Sequence, residues 1–266
     1  MVRTERSFCL ASLALARRRL RRARLLVVIA AGALPAAAAG QSVSPPIAEY
    51  QEHARSSFQL SNQSIFPLTV VLEARGFQVT ERGEVRDAPF DSTKIHLKLS
   101  AMSFRIPPRG TYTVFYEASA DSAPAWFNIL SAISGARTDA GVNVRILLPH
   151  VVYLNQKQPL RKEEVVVRAF EVDSAAKLSR VELENTGPNL GRVLQVSAAR
   201  GKTQSPPGSA FPLFPHFRRW TEIPWTLDSM PSRLEIRFAK FTIDTTLTPA
   251  LVAAAKDTAV SDSTGR

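Results

Sequence analysis

Residues able to do chemistry are few and scattered in this 266-residue chain. The four histidines, His53, His96, His150 and His216, stand far apart, with no pair two or four positions apart of the kind that holds a metal ion. Cys9 is the single cysteine, so no internal disulfide and no multi-cysteine metal centre can form. The motifs G-x-S-x-G, G-x-x-x-x-G-K-[ST], H-E-x-x-H and G-x-G-x-x-G, which build nucleophile elbows, phosphate cradles, zinc sites and dinucleotide sites, do not occur. We therefore expect no enzyme: no catalytic residue, no metal and no cofactor. A lone histidine on a strand is ordinarily a surface or hydrogen-bonded polar residue.

Two stretches could bind a partner. The run Phe211 to Trp220 mixes aromatic with basic side chains, the combination that grips single-stranded nucleic acid. Its prolines favour a loop whose phenylalanines pack into a core while Arg218 and Arg219 stay in water, and no nucleic-acid partner is expected. In the second stretch Val142, Val144, Ile146 and Leu148 alternate with other residues, which puts all four on one face of a strand. That face either packs on the strand's own core or, at a sheet edge, can be lent to another chain.

The charge of the chain, +11, points first to anionic partners, but its distribution says otherwise. Residues 1–40 hold eight arginines and one acid, a net +7. The arginine block runs into the short apolar segment Leu25 to Leu34, then Pro35 and the small residues Ala36 to Ala39. A basic head, a short apolar segment and a small-residue cleavage site form the secretory signal pattern, and the apolar run falls short of the ~20 residues of a spanning helix. Residues 1–40 are expected to be removed on export to the periplasm, leaving a nearly balanced, cysteine-free chain with no membrane contact after cleavage.

From residue 41 on, apolar residues recur with period two in short runs broken by Asn, Gly, Pro and Asp-Ser clusters, which predicts an all-β chain of twelve to fourteen strands. A weak repeat divides them. Phe58 to Asn62 and Val181 to Asn185 each end a strand on an asparagine able to hydrogen-bond its own turn, and each half later reaches an Ile-Pro pair, Ile106-Pro107 and Ile223-Pro224. Two tandem immunoglobulin-like β-sandwich domains are expected, at 41–158 and 159–245, with a disordered tail at 246–266.

On these residues the chain resembles the two-domain periplasmic chaperones of pilus and fimbrial assembly. The resemblance rests on Phe58–Asn62 followed by Pro67 to Val70, on Phe104-Arg-Ile-Pro-Pro-Arg-Gly110 leading into Tyr112-Thr-Val114, on Trp126 to Ile129, and on Gly141 to Leu148. It implies a divergent protein that binds exported, pilin-like subunits by lending the strand carrying Val142, Val144, Ile146 and Leu148, with an outer-membrane usher as a further partner and a role in pilus biogenesis and cell-wall organisation. It also implies a basic pair in the inter-domain cleft that holds a client's terminal carboxylate. The first strand, Val43 to Tyr50, has no basic residue, so Arg145, Lys157 and Arg55 are the candidate anchors. The alternative role is a structural or adhesive module of the cell envelope.

Overall fold

A computed structural model describes residues 40–137, 143–173, 175–225, 229–249 and 251. The predicted signal segment, Val142 and most of the predicted tail lie outside the described residues, and from Gln41 onward the chain forms one compact unit. The first ten strands are β1 (Gln41–Ser44), β2 (Ile47–Gln51), β3 (His53–Asn62), β4 (Leu68–Val79), β5 (Val85–Ala88), β6 (Ile95–Leu99), β7 (Ser103–Ile106), β8 (Thr111–Ala120), β9 (Ala125–Arg137) and β10 (Asn143–Asn155). They make two facing sheets, β1-β3-β8-β6 and β2-β10-β9-β4-β5, with β7 also on β4. After one turn of 3-10 helix at Lys162–Glu164 come β11 (Val165–Asp173), β12 (Leu178–Asn185), β13 (Gly191–Arg200), β14 (Thr203–Gln204), β15 (Phe211–Leu213), β16 (Phe217–Pro224), β17 (Arg233–Phe238) and β18 (Thr242–Thr246). These form the sheets β11-β12-β16 and β14-β13-β17-β18, with β15 on β13. The chain is all-β, two immunoglobulin-like sandwiches in tandem.

Period-two alternation supplies each core. Phe58, Leu60, Leu68, Val70, Leu72, Val114, Tyr116, Phe127, Ile129 and Ile133 are buried between the first pair of sheets. Phe170, Val181, Leu183, Val193, Val196, Leu213, Leu234 and Ile236 do the same in the second. Removing this apolar surface from water is the main force holding a domain that has no disulfide. The expected single first strand, Val43 to Tyr50, is divided: Pro45 and Pro46 lack the N–H a ladder needs, so the chain leaves the first sheet after β1 and enters the second as β2.

The repeat is real, and its asparagines explain it. Asn62 is fully buried; its Nδ2 donates to the carbonyls of Phe66, Pro107 and Ile106 at 2.8, 3.0 and 3.3 Å, and its Oδ1 accepts from the Ser64 N–H at 3.0 Å. Asn185, equally buried, donates to Asn189 and Leu213 at 2.7 and 3.3 Å and accepts from Gly187 N–H at 2.9 Å. Both side chains bond two and four residues ahead, then reach a later strand that pairs β4 or β13. This corrects one detail of the expected repeat: the partner of Ile106 is Leu213 on β15, and Ile223-Pro224 ends β16 instead, because β7 pairs β4 as β15 pairs β13. Asn62 also stands in a glycosylation sequon, but its burial leaves no room for a sugar.

The open edge of β10 and the cleft between the sandwiches

The alternating stretch predicted to be lent lies at the start of β10. On one side β10 pairs with β9 from Asn143 to Leu154. On the other, β2 runs parallel to it only along Val151–Asn155, and the Pro46 carbonyl accepts from the Val151 N–H at 2.9 Å. Among the described residues no strand pairs the outer edge of β10 between Asn143 and His150. Such an edge carries unpaired backbone donors and acceptors able to template another strand. Val144, Ile146 and Leu148 are half-buried, and the last two pack against the core of the first sandwich; Leu147 and Arg145 point outward. Between Val144 and Ile146 the register shifts by one, with the extra residue on β9, where Ser134 and Gly135 stand opposite Arg145.

His150 marks where the open edge stops. It is fully buried, its Nδ1 lies 2.7 Å from the Pro45 carbonyl and its Nε2 3.0 Å from the Tyr116 hydroxyl, and its ring stacks on Phe58 with centroids 4.5 Å apart. A carbonyl can only accept, so Nδ1 carries the proton and Nε2 accepts from Tyr116; the Tyr50 hydroxyl, 2.9 Å from that of Tyr116, completes the chain as donor. Burial holds the imidazole below its ordinary pKa and pushes the Tyr116 hydroxyl up. The network pins Pro45, where the chain crosses between sheets, and so sets the residue at which β2 begins to cover β10.

The three candidate anchors are not brought together. Arg55 lies on the outer face of the β3–β8 pair, 3.2 Å from Glu117. Arg145 is exposed on the outside of the other sheet, where its charge contributes to holding the Glu73 carboxyl below its usual range, an effect due first to Arg75. Lys157, past the end of β10, pairs with Glu52 at 3.1 Å.

Different residues fill the cleft. Phe214 of the second sandwich lies on Trp126 of the first, centroids 4.5 Å apart, beside Tyr153 and Phe77, with Leu190 completing the cluster. The Gln156 amide clamps the Leu190 backbone, donating to its carbonyl at 2.9 Å and accepting from its N–H at 3.2 Å. Arg192 pairs with Glu49 across the junction and covers the Tyr153 ring. Trp220 N–H donates to the Glu81 carbonyl at 2.7 Å, joining the β4–β5 hairpin to β16. Arg219, expected to stay in water, is corrected to a half-buried position: its guanidinium lies 4.4 Å from the Phe211 ring centroid and faces Gly83, its Nε is buried without a hydrogen-bond partner, and burial lowers its pKa. Arg218 does stay exposed, 3.3 Å from Glu184. No local pattern singled out Arg192, whose partner Glu49 lies 143 residues away, and the run holding Arg219 did not reveal that the β4–β5 hairpin would cover it.

No protein-family model matches this chain, and no curated protein sequence does. Among solved structures it is similar to the class 5 fimbriae chaperone CfaA, 8% identical with a TM-score of 0.47, over 79% of this chain and 100% of that one. It is similar to a chain of the Salmonella enterica SafA pilin–SafB chaperone complex, 11% identical with a TM-score of 0.47, over 78% of this chain and 96% of that one. It is similar to the YadV chaperone, 11% identical with a TM-score of 0.46, over 78% of this chain and 99% of that one. None of these likenesses places a client or a binding residue on this chain.

Proposed function

We propose that the protein is an exported, chaperone-like polypeptide that binds other exported, pilin-like chains by strand addition to the open edge of β10. The observation that carries this reading is the contrast along one strand: Val151–Asn155 are closed by β2, whereas Asn143–His150 are not paired on that side among the described residues. A partner strand laid there would take the free backbone hydrogen bonds, and the side chains of Val144, Ile146 and Leu148, with Val142 as the outermost member of the set, would supply alternate apolar contacts. Arg55, Arg145 and Lys157, the expected carboxylate anchors, are not gathered at one point. An usher and a place in pilus assembly belong to the same reading, as does the periplasm as its compartment.

Hydrogen exchange on the protein with and without a captured periplasmic chain tests the mechanism. New protection is expected at the amides of Arg145 and Leu147, which share the side of the Val151 N–H and so face the open edge, and no change at 151–155. Val144→Asp, half-buried at the open end, should reduce capture at least ten-fold while leaving the unfolding midpoint within a few degrees. Capture undiminished in a folded Val144→Asp protein, with no new protection at Arg145 and Leu147, would rule strand addition out.

A further inference from the structure

The end of the first sandwich far from the cleft has a charge pattern of its own. The described segments 41–46, 57–72, 101–114, 129–137 and 143–149 meet or approach that end; they contain Arg105, Arg109, Arg137 and Arg145 and no acid, and in the sequence Asp139 falls between the last two segments. Arg105, Arg109 and Arg145 are exposed. Between them projects the turn from Asn62 to Pro67, on which Ile65 is 67% and Phe66 41% exposed.

This end is rigid. Asn62 ties the Phe66 carbonyl to those of Ile106 and Pro107, and the Arg109 N–H donates to the Ser64 carbonyl at 3.1 Å, so the β3–β4 turn is bonded to the loop after β7 at two places. The apolar pair is not required by the turn. In the second sandwich the same asparagine-centred turn carries Pro188 and Asn189 at the matching positions, and its next residue, Leu190, is buried in the cleft. On the outer face of the adjoining sheet, Arg105 pairs with Thr69, which pairs with Ser134, and Arg145 stands opposite the irregularity of β9 beyond. One row further in, Val71, Ala132 and Leu147 form an apolar band, with Val71 44% and Leu147 51% exposed.

We propose that this end docks on an anionic phospholipid surface, with Ile65 and Phe66 entering the boundary between headgroups and acyl chains and Arg105 and Arg109 lying among the phosphates. A projecting apolar pair backed by arginines complements such a surface in both hydrophobicity and charge. An acidic protein would satisfy the arginines but would not reward exposing Ile65 and Phe66 at the apex. The proposal replaces the expectation that the exported chain has no membrane contact, and it stands apart from strand addition, since the turn leads into β4, two strands from the open edge of β10.

The test uses the compact unit beginning at Gln41, which excludes the basic leader, and sedimentation with vesicles of phosphatidylcholine alone or mixed with phosphatidylglycerol. Binding is expected only to the mixed vesicles and is expected to weaken with salt, because screening shortens to about 3 Å at about 1 M. At roughly five-fold per arginine near the surface, the R105Q/R109Q double variant should bind about 25-fold more weakly. I65S/F66S should lose at least ten-fold, with the unfolding midpoint unchanged in both variants. Equal binding to both vesicle types, no binding to either, or binding indifferent to both double variants overturns the proposal. So does binding to soluble poly-glutamate that needs the arginines but not Ile65 and Phe66, which would assign this end to an acidic protein surface.

Discussion

Asn62→Ala tests whether one buried amide organises the far end of the first sandwich. The side chain makes three hydrogen bonds from Nδ2, at 2.8 to 3.3 Å, and accepts from the Ser64 N–H at 3.0 Å and the Ser64 hydroxyl at 2.7 Å. Alanine removes every one of these and leaves the Ile106 carbonyl, at the buried end of the set, short of a donor. The amide has two protons, so its three contacts count as about two full bonds at about 1 kcal/mol net each; water can replace the part-buried Ser64 contacts, and a stranded buried acceptor costs about 1–3 kcal/mol more, so we expect a loss of roughly 3–5 kcal/mol. Asn185→Ala, with two donated bonds and one accepted, should cost slightly less. Urea unfolding followed by tryptophan fluorescence reads both through the midpoint, at unchanged slope. A loss below about 1 kcal/mol for Asn62→Ala would refute the argument, because it would mean that water satisfies those carbonyls as well as the amide does.

Three other perturbations follow from the structure. His150 has its pKa lowered by burial in the folded state, so the unfolded chain takes up the proton first. Stability should fall as pH drops below about 6.5, by up to ~1.4 kcal/mol per unit, and His150→Gln should remove that slope while lowering stability at pH 8. Glu182 is buried on β12 and its carboxyl pKa is raised, chiefly by burial. Its ionisation opposes folding above the ordinary carboxylate range, so Glu182→Gln should raise the thermal midpoint at pH 7 and have little effect near pH 3, where both states are protonated. At Gly76 an added methyl carbon would sit 2.4 Å from the Pro89 carbonyl oxygen, a backbone atom that cannot turn aside. Gly76→Ala should cost about 1–3 kcal/mol by overpacking, as read by calorimetry, and loosen the β4–β5 hairpin that carries Glu81 to Trp220.

Much of the architecture is legible along the chain because strands announce themselves locally. Ile95–Leu99, Thr111–Tyr116, Leu178–Leu183 and Leu234–Phe238 alternate as predicted and lie within β6, β8, β12 and β17. The asparagine-ended strands are visible for the same reason, since Asn62 and Asn185 act on backbone two and four residues away. What the alternation missed are breaks and extensions: Pro45-Pro46 splits the first strand between sheets, and β10 continues through Pro149 to Asn155, because Pro149 sits on the side of the strand that has no ladder to join.

The candidate site divides along the same line. That Val144, Ile146 and Leu148 share a face is a property of extended backbone and needs no partner to be known. That the edge beside them is open, and closes at His150, depends on the Pro45 carbonyl meeting a ring from 105 residues further along. The cleft depends on Glu49 meeting Arg192, Gln156 meeting Leu190 and Arg219 lying behind the β4–β5 hairpin. Alternation specifies which side chains lie together on one strand, but strands pair through backbone groups that are alike in every residue. Which edge is left free, and which cations face a cleft, is therefore decided only when distant segments pack.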